Sequence, residues 1–201
     1  MRAAKSSEAS RSRLSPPRIF FGPKRTIPLR PSRLRRILSP AEKGRPPMRW
    51  TGLLLWMALC FTVAGIGGAW TGKEVTGWYR TLARPSFTPP DWLFGPVWTL
   101  LYALMAVAAW QVWISAASPL RTWGLGLFLV QLGVNLAWSW IFFRQHAIGA
   151  AFADVLALWV LIGATTLVFA RTSPLAAWLM VPYWAWVTFA TVLNAAFQRL
   201  N

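Results

Sequence analysis

Five apolar blocks dominate the chain, running roughly from Gly52 to Trp70, Trp92 to Ile114, Trp123 to Phe143, Ala147 to Ala170 and Leu175 to Phe197. Each holds 19 to 24 residues with almost no charge on any face, and short Pro-, Gly- or Arg-containing breaks separate them. At about 1.5 Å per residue, each block in helical form spans a hydrocarbon core of about 30 Å. A soluble helix keeps a polar face for water, and these blocks have none to offer. The expected fold is therefore an all-α integral membrane protein, a bundle of five transmembrane helices, with the lipid bilayer as its first partner.

Charge is distributed just as unevenly. Residues 1–49 hold 14 of the 21 Lys and Arg and 2 of the 5 acids, leaving seven and three for the rest. Residues 1–47 are rich in Arg, Ser and Pro, a composition that supports neither a stable helix nor a core. They read as a basic extension preceding a membrane domain of residues 48–201. A transit peptide to an organelle membrane, a disordered arm drawn to anionic lipid and a start assigned too early all fit that composition. Met48-Arg49-Trp50, directly ahead of the first block, favours the last. A net charge of +16 ordinarily raises nucleic acid as a partner. The body has neither a basic face nor a recognition-helix pattern, so no nucleic-acid role is expected.

A disulfide within the chain is excluded, and no metal site is expected. Cys60 is the only cysteine and His146 the only histidine. The first reads as a small packed hydrophobe and the second as a loop residue at a helix mouth, with no metal implied. Trp50, Trp70, Trp78, Trp92, Trp113, Trp123 and Trp178 lie near block ends, as interfacial indoles do. Without the tail, the bias of basic residues places the first loop and the C-terminus in the cytoplasm, whereas an attached tail argues for the opposite orientation.

Polar residues inside the blocks are the informative ones, because lipid offers them no hydrogen bond. Gln131, Asn135 and Trp138 share one face of the third block. Trp98 and Tyr102 lie one turn apart in the second, and Tyr183, Trp186, Ala190 and Asn194 form a stripe on the fifth. These faces are expected to look inward, where indoles, phenols and amides suit a planar apolar ring needing one or two hydrogen bonds. Helix-to-helix hydrogen bonding accounts for Gln131 and Asn135 equally well. Asp154, well inside the fourth block, is expected to be a structural polar group paired with a tyrosine, tryptophan, amide or loop arginine. Ala147, Ala150, Ala151, Ala153 and Ala157, with Gly124, Gly126 and Gly133, permit close approach within the chain or across a dimer seam. The first loop, Thr71 to Asp91, is long enough to cover a cavity.

The motifs read in order carry a resemblance. They are Trp78-Tyr79, Arg84-Pro85-x-Phe87-x-Pro89-Pro90-x-Trp92-x-Phe94-Gly95-Pro96-Val97-Trp98-x3-Tyr102, Gln131-Leu132-x2-Asn135-x2-Trp138 with Ile141-Phe142-Phe143, Asp154, Pro182-Tyr183-x2-Trp186 and Leu193-Asn194. From about Met48 to Asn201 the chain resembles the TspO/MBR family, the tryptophan-rich sensory proteins related to the translocator protein and peripheral benzodiazepine receptor. The resemblance implies a five-helix, usually homodimeric protein of a bacterial envelope membrane, binding porphyrins and other tetrapyrroles, sterols or isoquinoline-type ligands under the first loop. It implies transport or stress sensing, with no required cofactor beyond a porphyrin- or haem-type ligand. By motif position, Trp98, Asn135, Trp138, Trp186, Ala190 and Leu193 become pocket residues, with Tyr102 and Asp154 as polar groups nearby. Some members resemble light-dependent porphyrin-degrading catalysts, a role that would fall here on Trp138 and Trp186. The sterol-carrier alternative is weakened where the family's cholesterol motif has an aromatic between Leu193 and Arg199, since Ala195 and Ala196 stand there. Ala150 likewise replaces a pocket tryptophan found in mammalian members, which implies weaker drug binding.

Overall fold

A computed structural model describes residues 47–201, with side chains from Trp50 onward. The reading of residues 1–47 as a basic extension concerns residues outside the described ones, apart from Pro47, which opens the first helix. Five long helices follow: α1 (Pro47–Thr76), α2 (Phe94–Trp113), α3 (Pro119–Ser139), α4 (Ile148–Thr172) and α5 (Pro174–Leu200). Counting Asp91–Leu93 with α2 and Trp140–Arg144 with α3, the apolar spans are 23 to 27 residues long, enough at about 1.5 Å per residue to cross a bilayer. Around the bundle the order is α1, α2, α5, α4, α3, with α3 returning to α1.

Helix ends follow from local chemistry. Ser118 and Ser173 cap α3 and α5, their hydroxyls accepting from Arg121 N and Ala176 N at 3.1 and 3.4 Å. Pro119 and Pro174 stand just after them, where a missing N–H costs nothing. Loss of apolar character was expected to end the first helix at Trp70, but α1 continues to Thr76. Polarity ends a membrane span without ending a helix. Nothing between Thr71 and Thr76 breaks backbone hydrogen bonding, Thr71 Oγ1 folds back onto Gly67 O at 2.9 Å, and Gly77 comes only after the last turn. The connection is shorter than expected and partly helical, with 3₁₀ turns at Trp78–Thr81 and Asp91–Leu93.

At the same end of the bundle, α3 runs into a π-helical turn, Trp140–Arg144. Such a turn inserts extra backbone and re-aims the side chains after it, and often marks a functional region. His146, just beyond, takes a left-handed conformation with φ 54°.

The half of the bundle away from the first loop is solid. Cys60, Met105, Ala106, Ala109, Val112, Phe128, Ile162, Phe169, Ala176 and Met180 are fully buried there. Gly124 belongs to this packing: a Cβ on it would sit 3.0 Å from Val168, so it serves the α3–α4 contact within the chain. Gly126 and Gly133 meet nothing. Of the tryptophans expected at the water boundaries, Trp50, Trp92, Trp123 and Trp178 are widely exposed, as lipid-headgroup anchors should be.

Candidate functional site

The opposite half of the bundle, beneath the first loop, holds a cavity of about 400 Å³. That falls within the range of roughly 300–1,000 Å³ typical of small-molecule sites. Every helix contributes to its wall: Gly67, Gly68 and Gly72 from α1, Trp98 and Tyr102 from α2, Asn135 and Trp138 from α3, Val155 and Leu158 from α4, and Trp186, Ala190, Leu193 and Asn194 from α5. The wall is mostly aromatic and aliphatic, and its small residues on α1 leave room where side chains would otherwise fill it. Asp91 is the one charged residue among the lining groups.

Of the residues singled out in the sequence, Trp98, Tyr102, Asn135, Trp138, Trp186, Ala190, Leu193 and Asn194 line this space. Gln131 and Tyr183 do not. They sit one layer deeper, where the Tyr183 hydroxyl donates to Gln131 Oε1 at 3.0 Å, and both are fully buried. Helical spacing put them on the correct inward faces. It could not say that the cavity ends above them, because its depth is set by how closely α3 and α5 approach.

A second interhelical bond supports the wall. Asn135 Nδ2 donates to Tyr102 Oη at 2.9 Å, tying α3 to α2. Tyr102→Phe would strand a buried amide, and hydrogen bonds between membrane helices are worth about 0.6 to 1.7 kcal/mol. A loss of about 1 kcal/mol is therefore expected, readable as a lower unfolding temperature in detergent, while Trp98→Phe, which removes no such bond, should shift it less. Asn194 Nδ2 donates to Ile148 O at 3.1 Å, holding α5 against the start of α4.

One expected polar contact is not made. Asp154 Oδ2 is buried with no hydrogen-bond partner, in place of the tyrosine, tryptophan, amide or arginine anticipated for it. Tyr102 pairs with Asn135 and Tyr183 with Gln131 instead, and Gln131 Nε2 is left buried without a partner as well. Trp138 Nε1, a donor, and Asn194 Oδ1, an acceptor, are also buried without a partner, and both belong to wall residues.

Over the cavity lies an aromatic cluster that the residue-by-residue reading did not assemble. Phe142 stacks on Trp138 with centroids 5.1 Å apart and meets Phe143, Trp78, Tyr79 and Phe197 edge-on. The π turn makes this possible by placing Phe142 and Phe143 together under the loop. Trp78 stacks on His146 at 4.0 Å, and His146 Nε2 lies 3.2 Å from Glu74 Oε2. The loop is also tied to the chain terminus: Asn201 Oδ1 accepts from Ala83 N at 3.0 Å while Asn201 Nδ2 donates to Ala83 O at 3.2 Å. Burial pushes the Tyr79 phenol up to about 12, with Arg84 opposing and Asp91 adding, so it stays neutral. A left-handed histidine and a π turn leave only faint sequence traces, so the loop was legible as a cover while the ring contacts beneath it were not.

Comparison with known proteins gives one consistent result. The pattern of the TspO/MBR family matches residues 56–200. The tryptophan-rich protein TspO of Chlorobaculum tepidum is 41% identical over 153 residues, covering 74% of this chain and 95% of that protein. Human translocator protein is 38% identical over 151 residues, 72% of this chain and 89% of its own length. The tryptophan-rich sensory protein of Cereibacter sphaeroides is 35% identical over 154 residues, 77% and 94% of the two chains.

Proposed function

The chain belongs to the TspO/MBR family, and from that premise we propose that it is a binding protein for tetrapyrroles and related flat apolar molecules, acting in transport or stress sensing. Its five spans and its bacterial relatives make it a multi-pass bacterial membrane protein. The observation that carries the ligand reading is the cavity itself. Three indoles from three helices, Trp98, Trp138 and Trp186, line one partly open cavity with few polar groups, which suits stacking on an aromatic ring system. A ligand polar atom that satisfies Trp138 Nε1 or Asn194 Oδ1 relieves a desolvation cost already present in the protein.

Protoporphyrin titrated in the dark into the protein in nanodiscs should quench tryptophan fluorescence saturably. Quenching that rises linearly and matches empty nanodiscs would mean partitioning into lipid and would remove the reading. Illumination of the same samples tests the photodegrading alternative, which rests on Trp138 standing in the wall. A new chromophore product that forms more slowly in Trp138→Phe would make the protein a catalyst. The family's homodimer is part of the same proposal. Trp123, Gly126, Val130 and Gly133 are exposed along one face of α3, and the open space over both glycines gives a second helix room to approach.

A further inference from the structure

Asp91 is the one charged residue of the cavity wall, and the two arginines paired with it stand outside the lining, on the loop above. Asp91, the charged lining residue, is gripped from the loop by two guanidinium groups: Arg84 Nη1 lies 3.3 Å from its Oδ1 and Arg80 Nη2 3.5 Å from its Oδ2. Arg84 also sits 4.7 Å above the ring of Tyr79, itself a wall residue. Two cations thus share one carboxylate. The other described acids do not relieve the imbalance, since Glu74 faces His146 and Asp154 lies inside α4. A net positive charge thus stands beside the one charged wall residue of a space otherwise built for an apolar ring.

We propose that Arg80 and Arg84 form a carboxylate subsite at the cavity mouth, now occupied by Asp91, which takes the acid side chains of a ring ligand whose flat body lies among the indoles below. The inference rests on the ring-binding reading given above and names the ligand class more narrowly: a planar apolar body with one or two carboxylates at one edge. The alternative role for the same three residues is a staple that closes the loop over residues 80–91. The two roles differ in what Asp91 does. In a staple its carboxylate is a partner, and removing it weakens every ligand alike. In a subsite it is a competitor, and removing it frees both arginines for the ligand.

Position sets the size of the effect. Side-chain exposure is 31% for Arg84 and 59% for Arg80, so solvent screens both, Arg80 more strongly. A charge-assisted pair at such a rim should favour a carboxylate by about five- to tenfold, mostly through Arg84.

The test compares protoporphyrin with its dimethyl ester, which has the same ring and no charge, on the full chain in phosphatidylcholine nanodiscs. The quantity read is the ratio of acid to ester affinity, because a change in loop closure or lipid partitioning moves both ligands together. Arg84→Gln should lower the ratio about five- to tenfold while ester affinity holds, and Asp91→Asn should raise it a few-fold. Arg171→Gln, at the far end of α4, should leave it unchanged. In the unaltered protein, raising salt should weaken acid binding and leave the ester alone, a readout that needs no variant. A ratio that is the same in the unaltered protein, Arg84→Gln and Asp91→Asn, with no salt dependence, overturns the subsite while leaving ring binding standing. Failure of both acid and ester to bind overturns the ring-binding reading and the subsite with it.

Discussion

Phe142→Ala is expected to cost about 3 kcal/mol of stability, the lower end of the range for removing a buried phenylalanine ring. Phe142 is 2% exposed and touches five rings, on the loop, on α3 and its π turn, and on α5. Few other side chains join so many elements. In a bilayer the lost term is packing contact more than transfer from water, which argues for the lower figure. Because the ring also lines the cavity, its removal enlarges that space and loosens the roof, so ligand affinity should fall together with the unfolding temperature. Phe142→Leu, which retains much of the volume, should lose less than half as much. A Phe142→Ala protein that unfolds within a degree or two of the parent would show that the cluster is a surface ornament and not the support of the roof.

Ala190→Trp should leave the fold intact and abolish binding, with affinity down at least about a hundredfold, roughly 2.7 kcal/mol. Ala190 lies half-buried on α5, one turn from both Trp186 and Leu193 in the wall. An added indole there extends into a space of about 400 Å³ and competes directly for the volume a ring ligand needs. The helix tolerates it, since tryptophans already stand at Trp184 and Trp186 of the same helix. Ala190→Val should weaken binding by a smaller step in the same direction. Unchanged porphyrin affinity in Ala190→Trp would place the ligand somewhere other than this cavity.

Much of the site was legible because lipid makes polar side chains informative. Asn135 and Asn194 had to face inward; Trp138 shares the face of Asn135, Trp186 and Ala190 lie near that of Asn194, and Trp98 goes with Tyr102, so periodicity brought together the aromatic and amide part of the wall. What spacing left open has one cause. Gln131 and Tyr183 lie on inward faces but below the cavity, bonded to each other, and Asp154 Oδ2 finds no partner even though Gln131 Nε2 lacks one too. Spacing along one helix fixes direction and not distance from a neighbour. Pairings such as Tyr102 with Asn135, 33 residues apart, depend on how the helices are set against each other.

By itself, the sequence determined the five spans, their approximate limits and the inward faces, because each follows from the length of an apolar run and the rotation per residue along a single helix. Only the tertiary structure decided where packing stops and empty space begins, how Trp78, Tyr79, Phe142 and His146 close over that space, and that two arginines share Asp91 at its edge. Those are properties of the gaps between helices, and a gap has no residue of its own to announce it.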